Sequence, residues 1–163
     1  KHIFHKGSET MNRRGKFKNI DNTLGLAFPN NAPGLYLHET ENKLVVVMNT
    51  YEGIIEEVEI PNIPLNKWIN VVIRVKHRYM DVYINGSVVT RHEFESVPKQ
   101  NYGDIFVSMN GGFSGNISSL KYWNYALSGV EIADLNGSGP NLTASDDMEV
   151  FPPYLSLRWY FGS

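Results

Sequence analysis

The sequence predicts an all-β sandwich or barrel carrying one short helix near residues 128–136. Three observations carry that expectation. Short apolar runs recur along the chain with a period of two, the spacing at which strand side chains share a face. β-branched and aromatic residues dominate those runs, as a pleated surface favours. Clusters of Asn, Gly and Pro divide them at short intervals, as in a chain of many strands.

Each element follows from its own residues. Leu35 and Leu37 alternate with Tyr36 and His38, and Lys43–Asn49 (KLVVVMN) reads as a buried strand. The polar residues Glu39–Asn42 between them predict a hairpin. The run Ile54–Ile60 ends at Pro61-Asn62-Ile63-Pro64, a loop or strand end, because proline cannot donate to a central ladder. Ile69, Val71, Ile73 and Val75 form one face of the next strand. Met80, Val82 and Ile84 alternate with Asp81, Tyr83 and Asn85. Asn85-Gly86 then sits between two apolar runs and predicts a type I′ turn, whose positive φ angles those residues tolerate. Ile105, Val107 and Met109 alternate with Phe106 and Ser108.

The helix is marked by Ser128-Gly129-Val130-Glu131, a capping box in which Ser and Glu each satisfy a free backbone amide. Gly137 and Gly139-Pro140 stop it. Asn136–Glu149 reads as a polar surface excursion. Pro152-Pro153 leads into a last predicted strand, Tyr154–Phe161, with Leu155, Leu157 and Trp159 on one face. Trp68, Trp123 and Trp159 each fall within such alternation and read as core or inter-sheet residues.

Composition narrows the function classes. The chain of 163 residues has no Cys, so a disulfide scaffold, a thiolate metal site and a cysteine nucleophile are excluded. Fifteen basic residues against seventeen acidic ones give a net charge of −2, with no basic excess that would favour nucleic acid. No apolar run approaches a membrane span.

Two ordered stretches carry a family resemblance. One is Lys67-Trp68-Ile69-Asn70-Val71-Val72-Ile73 followed by Met80-Asp81-Val82-Tyr83-Ile84-Asn85-Gly86. The other runs from Gly112-Phe113-Ser114-Gly115-Asn116-Ile117 to Tyr125-Ala126-Leu127-Ser128-Gly129-Val130-Glu131-Ile132. Together with Ile3-Phe4-His5-Lys6-Gly7 they resemble the concanavalin A-like lectin/glucanase superfamily, in its laminin-G-like branch. The resemblance implies a two-sheet antiparallel jelly-roll sandwich, one domain over residues 1–163, that lacks the N-terminal strands of a longer parent. The tail from Pro152 to Tyr160 is similar to tails of such domains in large DNA viruses of algae. Resemblance thus favours an extracellular or virion-surface location.

The search for chemistry gives little catalytic material. Glycanases of this superfamily set carboxylates on alternate strand positions, which brings an acid and a nucleophile to one face. Glu39-Thr40-Glu41 and Glu57-Val58-Glu59 approximate that spacing, and both read as solvated faces. The five histidines show no zinc spacing, and His2 and His5 fall on opposite faces of a regular strand. There is no nucleophile elbow and no phosphate loop. Calcium, a hard cation taking oxygen ligands, is the one cofactor considered. Asp21 and Asp104 are its candidate ligands, with Asn22, Asn110 and Asp146-Asp147 as further oxygen donors, but no dense D-x-D/N-x-D loop occurs. Sugar binding needs an exposed aromatic beside amides and carboxylates. Tyr102, Asp104 and Asn110 are the candidate ligand-binding residues on that ground, while Phe113 reads as a core plug.

The leading functional expectation is a non-catalytic binding module recognising a glycan or protein surface. The alternatives are a structural or assembly module of a larger surface or viral capsid-associated protein, and a glycoside hydrolase resting on Glu57 and Glu59.

Overall fold

The computed structural model describes residues 1–12, 25–53 and 55–143. In chain order it contains β1 (His2–Gly7), β2 (Asn31–Leu37), β3 (Lys43–Met48), β4 (Glu56–Pro61), β5 (Val71–Lys76), β6 (Tyr79–Ile84), β7 (Ser87–Glu93), β8 (Asp104–Val107) and one helix, α1 (Gly129–Ser138). The strands form two antiparallel sheets, one ordered β4-β3-β2-β1-β8 and the other β5-β6-β7. The predicted strand Tyr154–Phe161 lies outside the described residues.

Alternation explains why the sheets pack. Leu44, Val46 and Met48 of β3, with Val58 and Ile60 of β4, point inward and meet Met80, Val82 and Ile84 of β6. Phe94, completely buried, closes this core just past β7. Burial of such side chains stabilises by roughly 1.5–3 kcal/mol each. Strand β3 is apolar on both faces because a second layer covers the other side. There Val45 and Val47 pack with Tyr36, Met11, Leu26 and Ala27.

Local signals hold in the two places where they are strongest. Asn85 and Gly86 have φ of 50° and 79°, as the β6–β7 turn requires. At α1 the Ser128 Oγ accepts from the Glu131 amide at 3.3 Å, and the Glu131 carboxylate accepts from the Ser128 amide at 2.7 Å. The helix rests on the outer face of the smaller sheet, where Leu127 and Ile132 cover Tyr83.

Three expectations need correction. Trp68 is exposed and lies before β5, which begins only at Val71. Trp123 is half-buried in a stretch without regular structure, where it packs beside Leu127 and Tyr83. Alternation in residues 113–127 therefore does not yield a strand among the described residues. Phe113 is half-buried and lines a cleft instead of plugging the core. Trp159 lies outside the described residues.

His2 and His5 also depart from regular alternation. In the β1–β2 register, His2 pairs with Tyr36 and Phe4 with Leu35, so two steps along β1 match one along β2. That bulge inserts one residue and returns His5 to the face of His2.

Candidate functional site

One end of the sandwich presents aromatic side chains from two clamped loops. The first connects β7 to β8 and contains Asn101-Tyr102-Gly103. Its geometry is set by Asn101, whose Nδ2 donates to the Lys6 carbonyl at 2.7 Å and the Ala32 carbonyl at 3.1 Å. The Asn101 Oδ1 accepts from the Gly103 amide at 2.8 Å. Lys6 returns the contact, its Nζ donating to the Asn101 carbonyl at 2.9 Å and to the Gly103 carbonyl. Gly103 has to be glycine, because a Cβ there would lie 2.4 Å from the Gly7 carbonyl oxygen, and only backbone movement could relieve it.

Between these fixed neighbours Tyr102 projects outward, 84% exposed. Fixing a loop before binding reduces the ordering cost of a contact. An aromatic ring held this way offers a flat apolar face with a polar tip.

The second loop joins β3 to β4. Thr50 closes a turn on Gly53, its amide donating to the Gly53 carbonyl at 2.9 Å and its Oγ1 accepting from the Gly53 amide at 2.9 Å. The Tyr51 amide donates to the Val97 carbonyl at 3.1 Å, which ties this turn to the β7–β8 connection. Tyr51 and Val97 are exposed beside it. Sequence reasoning missed Tyr51. The available signal was an aromatic inside a Thr-x-x-Gly turn, where no strand face can bury it.

The predicted ligand-binding residues do not form one group. Tyr102 and Asp104 share this end, Asp104 being exposed as the first residue of β8. Asn110 lies past the opposite end of β8, in a turn with φ of 53°, so it belongs to the other rim. Asp21, Asn22 and Asp146-Asp147 lie outside the described residues. Among the described residues no three His, Asp or Glu side chains come together. Those residues thus do not fit a calcium site built on a carboxylate cluster around Asp104.

The carboxylates considered for hydrolysis sit on the outer face of β4. The Glu59 carboxylate is engaged by the Lys43 ammonium at 2.9 Å, and the same ammonium reaches Glu41 at 2.5 Å. Burial, followed by the nearby charge of Glu59, pushes the Glu57 carboxyl upward. Val45 and Val47, which pair with Glu59 and Glu57, lie beneath Met11, Leu26 and Ala27. That layer covers β3, while Glu57 and Glu59 themselves stay exposed on β4.

A third cluster joins the histidines. The Met109 amide donates to His2 Nδ1 at 2.9 Å. His2 Nε2 therefore carries the proton and donates to His5 Nδ1 at 2.7 Å, and His5 Nε2 donates to the Ser8 carbonyl at 2.8 Å. Only neutral imidazoles complete this chain. Burial, then the neighbouring His5, brings His2 down to about 4, and burial also lowers His5. His5 stacks on Phe106, their ring centres 5.2 Å apart. The pair ties β1 to β8 and to the loop after it.

The family comparison agrees with this architecture. A model of the concanavalin A-like lectin/glucanases superfamily matches residues 16–133, and the chain belongs to that superfamily. Comparison with curated proteins gives no match. Among solved structures, an S-layer domain-containing protein (residues 221–444) from Clostridium thermocellum ATCC 27405 is similar, with a TM-score of 0.35 and 18% identity over 76% of this chain and 71% of that one.

Proposed function

We propose that this member of the concanavalin A-like superfamily is a non-catalytic binding module that recognises a glycan through the Tyr51–Tyr102 rim. The observation that carries the reading is the Asn101–Lys6 clamp, which presents Tyr102 84% exposed on a fixed loop. Among the described residues nothing in the packing of the sandwich calls for an aromatic there, whereas stacking on a sugar ring does. Asp104 beside it supplies acceptors for hydroxyl groups. A hydrolytic role draws little support from Glu57 and Glu59, which lie on the solvent-facing side of β4, Glu59 paired with Lys43.

A glycan array followed by calorimetry tests the reading. Tyr102→Ala should weaken any glycan bound by the native protein about tenfold, the effect of losing roughly 1.4 kcal/mol, while leaving the melting temperature unchanged. Silence of the native protein across the array would overturn the glycan reading and direct attention to a protein ligand at the same rim.

A further inference from the structure

The sandwich has a step on one side. β7 lies beside β4, where His92 meets Glu56, so the outer edge of β5 and the projecting pair β1 and β8 lie together on the other side. Among the described residues neither β5 nor β8 has a second ladder partner. Residues 113–127 line the cleft there and add a strand to neither edge. The projecting strands carry Ile105 and Val107, both exposed, on their inner face. An edge and an apolar overhang of this kind are templates for a further strand.

The directions of the two edges follow from the pairings. The Tyr51 amide, just after β3, donates to the Val97 carbonyl, a few residues after β7, so β3 and β7 finish at the same end of the sandwich. β5 runs with β7 and β1 runs with β3, because one antiparallel strand separates each pair, whereas β8 opposes β1. β5 and β8 are therefore antiparallel. Their side chains match in one register: Lys76, Val75, Arg74 and Ile73 of β5 against Asp104, Ile105, Phe106 and Val107 of β8. Each inward apolar residue then faces another, and Lys76 faces a carboxylate. Val75 and Ile73 are only partly buried, and Lys76 and Asp104 are exposed, with no ion pair among the described residues. Arg74, held by Asp81, lies opposite Phe106. Within one chain these edges belong to different layers, about 10 Å apart, and do not pair.

We propose that a second copy of this chain fills the step, related by a two-fold axis parallel to the strands, so that β8 of each copy pairs with β5 of the other. Turning the partner over places its two projecting strands in the layer where the first copy has only β5, β6 and β7. Both sheets then continue across the contact, which is isologous and closes as a dimer. Ile105 and Val107 of the two copies meet between the layers. Pairing with Lys76 uses one Asp104 oxygen and leaves the other for the rim. The axis turns both Tyr102 loops to one end; that consequence alone rests on the glycan reading.

Sedimentation equilibrium of the full chain should give a species of twice 18.5 kDa that dissociates on dilution. Ile105→Lys should raise the dimer Kd roughly 100-fold, and Asp104→Lys or Lys76→Asp about tenfold each, with far-UV circular dichroism retained. Asp104→Lys combined with Lys76→Asp should return the Kd to the native value, a rescue that general destabilisation does not produce. Val88→Asp, on the exposed edge of β7, should leave it unchanged. A monomer at every concentration overturns the proposal, as do open-ended oligomers or a dimer indifferent to Ile105→Lys. Should the charged variants fail to fold, single thiols decide, since the chain has no Cys. Val75→Cys chains mixed with Ile105→Cys chains should form a mixed disulfide on mild oxidation, because directly opposed strand residues come within its reach. Absence of that product overturns the pairing. The readout is oligomeric state, so silence on a glycan array bears on the glycan reading alone.

Discussion

The two sides of the sandwich are closed to different degrees. Where β4 approaches β7, the sheets meet directly: His92 Nε2 lies 3.0 Å from the Glu56 carboxylate, and Val46, Met80, Val82 and Phe94 are fully buried between the layers. Where β1 and β8 extend beyond the smaller sheet, Ile105 and Val107 remain 43% and 44% exposed, although they share the inner face with Phe4 and Lys6. Similar strand chemistry thus gives different burial, because among the described residues five strands face three. The lesson is that alternation specifies which face is apolar, while the partner sheet decides whether that face is dry.

The comparison can be broken most sharply at Phe94. Phe94→Ala should cost about 3–5 kcal/mol, since the closed side has no room to collapse without strain, and chemical denaturation with an unchanged slope would measure it. Acid should act next, and on the open side. Both His2 and His5 titrate below their ordinary value when folded, so the unfolded chain binds more protons between pH 6.5 and about 4. Stability is therefore fully present above pH 6.5 and falls as pH drops toward 4, by roughly 2–3 kcal/mol. Hydrogen exchange at pH 5 should show β1 and β8 opening before β6, and His2→Gln should flatten the pH dependence.

Smaller effects sharpen the contrast. Val107→Ala should cost less than about 1 kcal/mol, against roughly 2 kcal/mol for Val82→Ala, because only the second removes dry contacts. Lys43→Ala should leave the melting temperature nearly unchanged, since its carboxylate partners are exposed and screened. A thermal-melt comparison of these variants at two salt concentrations would separate packing from charge.

Much of this arrangement was legible in the residues. The Asn85-Gly86 turn, the Ser128–Glu131 capping box and the inner faces of β3 and β6 follow from local stereochemistry and strict alternation, so they needed no tertiary information. The His2–His5 contact did not follow, because a single inserted residue in β1 reverses the face of everything after it. Residues 113–127 carry strand-like chemistry yet form no strand among the described residues, so their own pattern did not decide their conformation. At the candidate site, Tyr102 and Asp104 were legible as loop residues. The separation of Asn110 was not, since it depends on the direction in which β8 crosses the sheet. The Asn101 clamp spans 95 residues of chain to reach Lys6, and no local pattern announces a bond of that range.

Asp81 has a consequence for how the smaller sheet is assembled. Its buried carboxylate, on the middle strand, accepts from Arg91 Nε at 2.6 Å on one side and from Arg74 at 3.4 Å on the other. The hydrogen bond to Arg91 holds the Asp81 carboxyl below its ordinary value, against the opposing effect of burial. Each guanidinium comes from the residue directly across the ladder. A slip of one residue in either pairing would move one Arg to the apolar face and strand a charged carboxylate without its partner. The triad thus works as a proofreading device: it adds little to the correctly paired sheet beyond what packing supplies, and it makes each neighbouring misalignment costly.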